Sequence, residues 1–169
     1  LEINLHSNEK DNKKVVLYGS STFKDWANAN KDLSINNLLN LGFGGSTLVS
    51  CRTYFNRIVL PYNPDTIVFY AGDNDIGSGT SADELLNEFL LFSSEVAEKI
   101  PHTRCFFISI KPSVFRSEYL DIILDFNKKV KNSIDHLNQW KYIDLCSPML
   151  ETGYEKFYGE DPLHMNILG

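Results

Sequence analysis

Five short runs of branched and aromatic residues recur along the chain, most of them separated by amphipathic stretches, and this alternation restricts the fold more than any other feature. The runs fall at residues 15–18, 38–41, 66–70, 105–110 and 142–145. They are mostly continuous rather than alternating in polarity, as expected of parallel strands covered on both faces. Ser81-Ala82-Asp83-Glu84 has the form of a capping box. Leu85, Phe89, Phe92, Val96 and Ile100 then follow on one helical face until Pro101 stops the helix. A second helix is expected over residues 117–137, with Leu120, Ile123, Val130, Ile134 and Leu137 in register, and a third over 47–60, ended by Pro61. Strand and helix alternate, which predicts a three-layer α/β/α sandwich around a five-stranded parallel sheet. Residues 14–169 read as a single domain, with 1–13 as an N-terminal extension.

Composition mainly removes options. The 169 residues carry 43% apolar side chains, enough for one packed core. The net charge of −6, with lysines and arginines scattered, leaves no basic stripe for nucleic acid. No apolar stretch approaches the ~20 residues of a membrane span. Three widely spaced cysteines, Cys51, Cys105 and Cys146, suit buried small side chains better than a disulfide framework or a metal site. They favour a reducing, cytoplasmic location. The start at Leu1 rather than methionine keeps a processed, secreted form as the alternative.

In parallel sheets, ligands bind beyond the carboxyl ends of the strands. Three loops reach that edge. Gly19-Ser20-Ser21-Thr22 follows the first strand, Gly42-Phe43-Gly44-Gly45-Ser46-Thr47 the second, and Gly72-Asp73-Asn74-Asp75 the third. Asp161-Pro162-Leu163-His164 follows the fifth strand on a loop able to return there. Ser21 with His164 and Asp161 makes a nucleophile, a base and a base-orienter. Gly45 permits close backbone approach and Asn74 offers an uncharged NH₂, the two kinds of donor an oxyanion needs. Each element also has a plainer reading. Ser21 can serve a helix start, the glycines a tight turn, and Asn74 an Asx turn. A hydroxyl-rich loop here can also hold phosphate, as in a flavin-binding module that would not use His164.

Taken together and in order, these segments resemble the SGNH (GDSL-type) hydrolases over residues 14–169. Val15-Val16-Leu17-Tyr18-Gly19-Ser20-Ser21 is similar to the family's first block, with Ser20 where many members have aspartate. The glycine loop matches the second block, Gly72-Asp73-Asn74-Asp75 the third, and Asp161-Pro162-Leu163-His164 the fifth. Ile108-Ser109-Ile110-Lys111-Pro112-Ser113 resembles a segment of a bacterial subgroup. The resemblance implies a flavodoxin-like fold and cofactor-free, metal-free ester hydrolysis through an acyl-enzyme. By that alignment Ser21 is the nucleophile, His164 the base, Asp161 its partner, and Gly45 and Asn74 the oxyanion donors. Small acyl groups such as acetyl, carried on sugars, are the substrate class it suggests, taken by an open cleft. Activity is then expected to rise through a pKa near ~6.5, that of histidine. Relatives usually continue into a closing helix beyond the position of Gly169, so that helix is expected to be missing. A catalytically silent member of the family is the competing expectation.

Other residues attract attention and recede. His6, His102 and His136 have no acid or cysteine at metal-ligand spacing and read as surface residues. Lys111 and Arg116 can line a pocket for an anion, but a solvated loop pair is the favoured reading. Tyr154, Phe157 and Tyr158 either wall the substrate site or simply pack. Cys51 lies within a helical pattern and makes a poor nucleophile.

Overall fold

A computed structural model describes residues 13–169. The extension expected over 1–13 lies, but for Lys13, outside the described residues. The strands are β1 (Val15–Gly19), β2 (Leu38–Gly42), β3 (Thr66–Tyr70), β4 (Arg104–Ile108) and β5 (Trp140–Ile143). They form one parallel sheet in the order β2-β1-β3-β4-β5. The helices are α1 (Ser21–Lys24), α2 (Ala29–Asp32), α3 (Leu48–Ile58), α4 (Asp73–Gly77), α5 (Ala82–Lys99), α6 (Leu120–Ile134) and α7 (Cys146–Glu151). The expected three-layer architecture is present.

Successive side chains of a strand point to opposite faces, so each central strand feeds two cores. Val16, Tyr18, Ile67, Phe69, Cys105, Phe107 and Trp140 pack under α3, α5 and α6. Val15, Leu17, Val68 and Tyr70 pack against Phe23 of α1 and Ala29 of α2. The first core is strongly aromatic. The Phe69 and Phe92 rings lie 4.7 Å apart, and Phe89 stands edge-on to Phe107 and Trp140, each at 5.1 Å. Such pairs add ~0.5–1.5 kcal/mol beyond their buried area.

Several boundaries differ from the sequence expectation for local reasons. The strand expected over 142–145 runs instead from Trp140 to Ile143, because Cys105 of β4 pairs with Trp140 and draws that ring into the aromatic core. Its end is set by Ser109, whose Oγ accepts the backbone N–H groups of Leu145 and Cys146, each at 2.9 Å, and so starts α7. The strand expected through residue 110 ends at Ile108. Ile110 leaves the ladder to pair both its backbone groups with the Asn127 side chain at 2.8 Å. The helix expected over 47–60 begins at Leu48, since Thr47 and Ser50 form a capping box, and Pro61 continues as a 3₁₀ turn. The one expected over 117–137 has a 3₁₀ first turn and α-helical geometry from Leu120 to Ile134.

Strand register places the functional loops. Gly19 pairs with Gly42 on one side and Tyr70 on the other, so three strands end level at one edge. A Cβ on Gly19 would lie 1.9 Å from the Tyr70 carbonyl oxygen, so only glycine lets the chain pass here into the serine loop. The edge between β1 and β3 is also where the strand order reverses, the crevice at which α/β sheets take ligands.

Candidate active site

Ser21 is the first residue of α1, with Ser20 as its N-cap. Ser20 is fully buried and its Oγ accepts the Thr22 N–H, so of the two adjacent serines only Ser21 reaches the cleft. The Nε2 atom of His164 stands 2.9 Å from Ser21 Oγ across 143 residues of sequence. Asp161 Oδ2 lies 2.7 Å from His164 Nδ1. A carboxylate at Nδ1 holds the ring proton there, which leaves Nε2 to accept from the hydroxyl.

Asp161 does more than face the ring. Its Oδ1 accepts the backbone N–H groups of Leu163 and His164 at 2.8 and 3.0 Å, closing the turn that carries the imidazole. These donors and the imidazole hold its carboxyl down at about 2, so it is ionised at any physiological pH. The site is open, as expected: the His164 and Asp161 side chains are 32% and 57% exposed.

Gly45 and Asn74 stand on the segments that follow β2 and β3, the strands on either side of β1, which leads to Ser21. Gly45 has a φ of +68°, and nothing lies within 4 Å of where its Cβ would be, so conformation rather than crowding favours glycine here. A left-handed residue here aims the loop amides in a way other residues adopt only with strain. Asn74 lies in α4; its Nδ2 donates one proton to the Ser46 carbonyl at 3.0 Å, and the second has no partner among the described residues. Asp75, the next residue, receives the Leu48 N–H on both carboxylate oxygens at 3.1 and 3.2 Å. It thereby pins the start of α3 and the glycine loop before it. Burial pushes the Asp75 carboxyl up to about 6.

Lys111 and Arg116 are not the solvated pair that the sequence favoured. They are 2% and 8% exposed. Lys111 Nζ donates to the Leu163 carbonyl at 2.8 Å, inside the Asp161–His164 turn, and lies 5.2 Å over the Tyr158 ring. Burial lowers the Lys111 ammonium to about 8, with Arg116 acting in the same sense and Asp73 and Asp161 against it. Arg116 donates to Asn74 Oδ1 at 2.9 Å. Between them, the Phe115 N–H bonds the Pro162 carbonyl at 3.0 Å. Tyr158 is buried and its hydroxyl bonds the Pro112 carbonyl, so of the three aromatics before the turn it packs beneath the site. Residues 111–116 thus form a strap tied to both the histidine turn and the asparagine.

Asp25 and Asn166, outside every motif in the sequence, also stand beside the site. Asp25 Oδ2 lies 3.8 Å from His164 Nε2. Its i+4 spacing from Ser21 was the available signal, since such residues share a helical face. Asn166 Nδ2 donates to the Lys156 and Tyr158 carbonyls at 3.0 and 2.9 Å, anchoring the segment after His164. Cys51, Cys105 and Cys146 are buried free thiols, and burial pushes the first two up to about 12. Among the described residues no three His, Cys, Asp or Glu side chains converge as a metal site requires, and no helix is long and apolar enough to cross a membrane.

Comparison with known proteins agrees with the fold. No curated protein matches the chain. Among solved structures it is similar to a GDSL-like lipase from Bacteroides thetaiotaomicron, with 20% identity and a TM-score of 0.75 over 97% of this chain and 85% of that one. A lipase/acylhydrolase from Enterococcus faecalis shows 20% identity and a TM-score of 0.73, covering 93% of this chain and 89% of the other. The acetyl xylan esterase AlAXEase shows 21% identity and a TM-score of 0.74, with 92% and 93% covered. The sequence profile of the GDSL-like Lipase/Acylhydrolase family matches residues 16–169. The chain belongs to that family and is an ester hydrolase.

Proposed function

We propose that the protein hydrolyses small carboxylic esters through an acyl-enzyme on Ser21, with acetylated carbohydrates as the substrate class. The observation that carries this reading is the continuous hydrogen-bonded chain Ser21 Oγ, His164 Nε2, His164 Nδ1, Asp161 Oδ2, with contacts of 2.9 and 2.7 Å. His164 takes the Ser21 proton as Oγ attacks the ester carbonyl carbon. The developing oxyanion receives the free Nδ2 proton of Asn74 and the backbone N–H groups of Gly45 and Ser21. His164 then protonates the departing alkoxide, and water deacylates the serine by the same route. Asp161 holds the imidazole's tautomer and balances its charge. The open site and the likeness to an acetyl xylan esterase support a short acyl group on a bulky alcohol.

The test is turnover of p-nitrophenyl esters from acetate to octanoate, and release of acetate from acetylated xylo-oligosaccharides. Turnover is expected to be fastest for acetate and to vanish in Ser21→Ala, which also abolishes labelling by a fluorophosphonate. Equal turnover by the Ser21→Ala variant overturns the assignment of the nucleophile. A preference for octanoate overturns the acyl class alone.

A further inference from the structure

We propose that Arg116 is the positioning residue of the oxyanion site, orienting and polarising the Asn74 amide from behind. The inference rests on the roles of Ser21 and Asn74 proposed above and adds a group that touches neither substrate nor nucleophile.

Four observations lead to it. Arg116 is buried, yet its Nε has no hydrogen-bond partner among the described residues. A buried cation with an unmet donor costs stability, and structures retain such groups where they serve another purpose. Its guanidinium is placed on one atom of interest, Asn74 Oδ1, at 2.9 Å. That contact decides which way the amide faces: Oδ1 turns to the guanidinium, and Nδ2 turns to the Ser46 carbonyl, its second proton unpaired among the described residues. Finally, the main chain makes room for the guanidinium. A Cβ on Gly77, at the end of α4, would lie 1.4 Å from Arg116 Nη1.

The physical consequence has two parts. A cationic donor on an amide oxygen draws electron density from the nitrogen, so the free N–H becomes a stronger donor to a developing negative charge. A fixed amide also loses no orientation when that charge appears, which is the main advantage of a preorganised oxyanion site. Both effects grow with the oxyanion and are small for the neutral ester. Arg116 therefore acts on kcat and leaves KM nearly unchanged.

The experiment measures kcat and KM for p-nitrophenyl acetate in the intact chain and in Ser21→Ala, Asn74→Ala, Arg116→Gln, Gly77→Ala and the Asn74→Ala/Arg116→Gln double variant. Deleting one oxyanion donor typically costs 10²–10³ in kcat, so Asn74→Ala is expected in that range. Arg116→Gln should lower kcat by about tenfold to a hundredfold with KM within about twofold. On the Asn74→Ala background the same change should move kcat by less than about twofold, because the group it acts through is gone. Gly77→Ala keeps the arginine but displaces the flexible end of its side chain, so it should reproduce the kcat loss where Arg116→Gln folds poorly. Turnover that requires Ser21 but is untouched by Arg116→Gln and Gly77→Ala overturns this role alone. An equal loss with and without Asn74 reduces Arg116 to a structural residue and also overturns it. Turnover that survives Ser21→Ala overturns the underlying reading instead.

Discussion

Asp25 Oδ2 stands 3.8 Å from His164 Nε2, the ring nitrogen that also faces Ser21. The imidazole therefore lies between two carboxylates of unequal standing. Both carboxylates are about half-exposed, but Asp161 contacts Nδ1 at 2.7 Å and is itself held by two backbone amides, whereas Asp25 stands beyond hydrogen-bond distance as a solvent-screened ion pair. Asp161→Asn should lower kcat by ~10³–10⁴, as loss of a tautomer-fixing acid does. Asp25→Asn should lower it by no more than about fivefold, the value of an exposed pair below ~1 kcal/mol. Steady-state kinetics of the two variants checks the ranking, and comparable losses would make Asp25 a second orienter.

Lys111 separates activity from stability. Its ammonium is lowered below its unfolded value of 10.5 to about 8, so its contribution to stability is fully present above 10.5 and is lost as pH falls through 8. At pH 7 it is a buried cation that the fold tolerates. Lys111→Met removes that cost together with the anchor on the Leu163 carbonyl. It should leave Tm at pH 7 unchanged or raised while kcat falls by about tenfold to a hundredfold, since small displacements of a catalytic base are expensive. A fall in Tm with unchanged kcat would contradict this account.

Asp75 makes a pH signature of opposite sense. Its folded pKa, raised by burial from 3.8 to about 6, means that its contribution is fully present below 3.8 and is lost as pH rises through 6. Asp75→Asn keeps an oxygen for the Leu48 N–H and removes the titration. Relative to the parent, its Tm should climb by a few degrees between pH 4 and pH 7. Thermal melts at both pH values check this, and a constant difference would mean that Asp75 does not titrate there.

Phe92 tests the aromatic core apart from the chemistry. It is fully buried and its ring meets those of Tyr18, Phe55, Phe69 and Trp140. Phe92→Ala should cost ~3–5 kcal/mol in denaturant unfolding. The ester turnover of the protein that remains folded should stay within about twofold, because the rings it meets belong to β1, α3, β3 and β5 rather than to the functional loops.

Much of this molecule is legible in one dimension because its signals are local. An apolar run with no polar alternation is a covered parallel strand wherever it sits, and Ser81 with Glu84 caps α5 by contacts three residues apart. The order of loops after successive strands places Ser21, Gly45 and Asn74 at one sheet edge once the strands are parallel. The Asp161–His164 turn is likewise a contact across three residues. The burial of Lys111 and Arg116 had no such local signal. What decides it is a carbonyl 52 residues further on and an amide 42 residues back, brought within hydrogen-bond reach by the packing of the strap against α4 and the histidine turn. The same holds for Asp75 and the start of α3, 27 residues away. Composition marks a lysine or arginine as polar and hence as solvated; only the tertiary structure supplies the distant partners that make a buried charge tolerable. Here, those partners belong to the site itself.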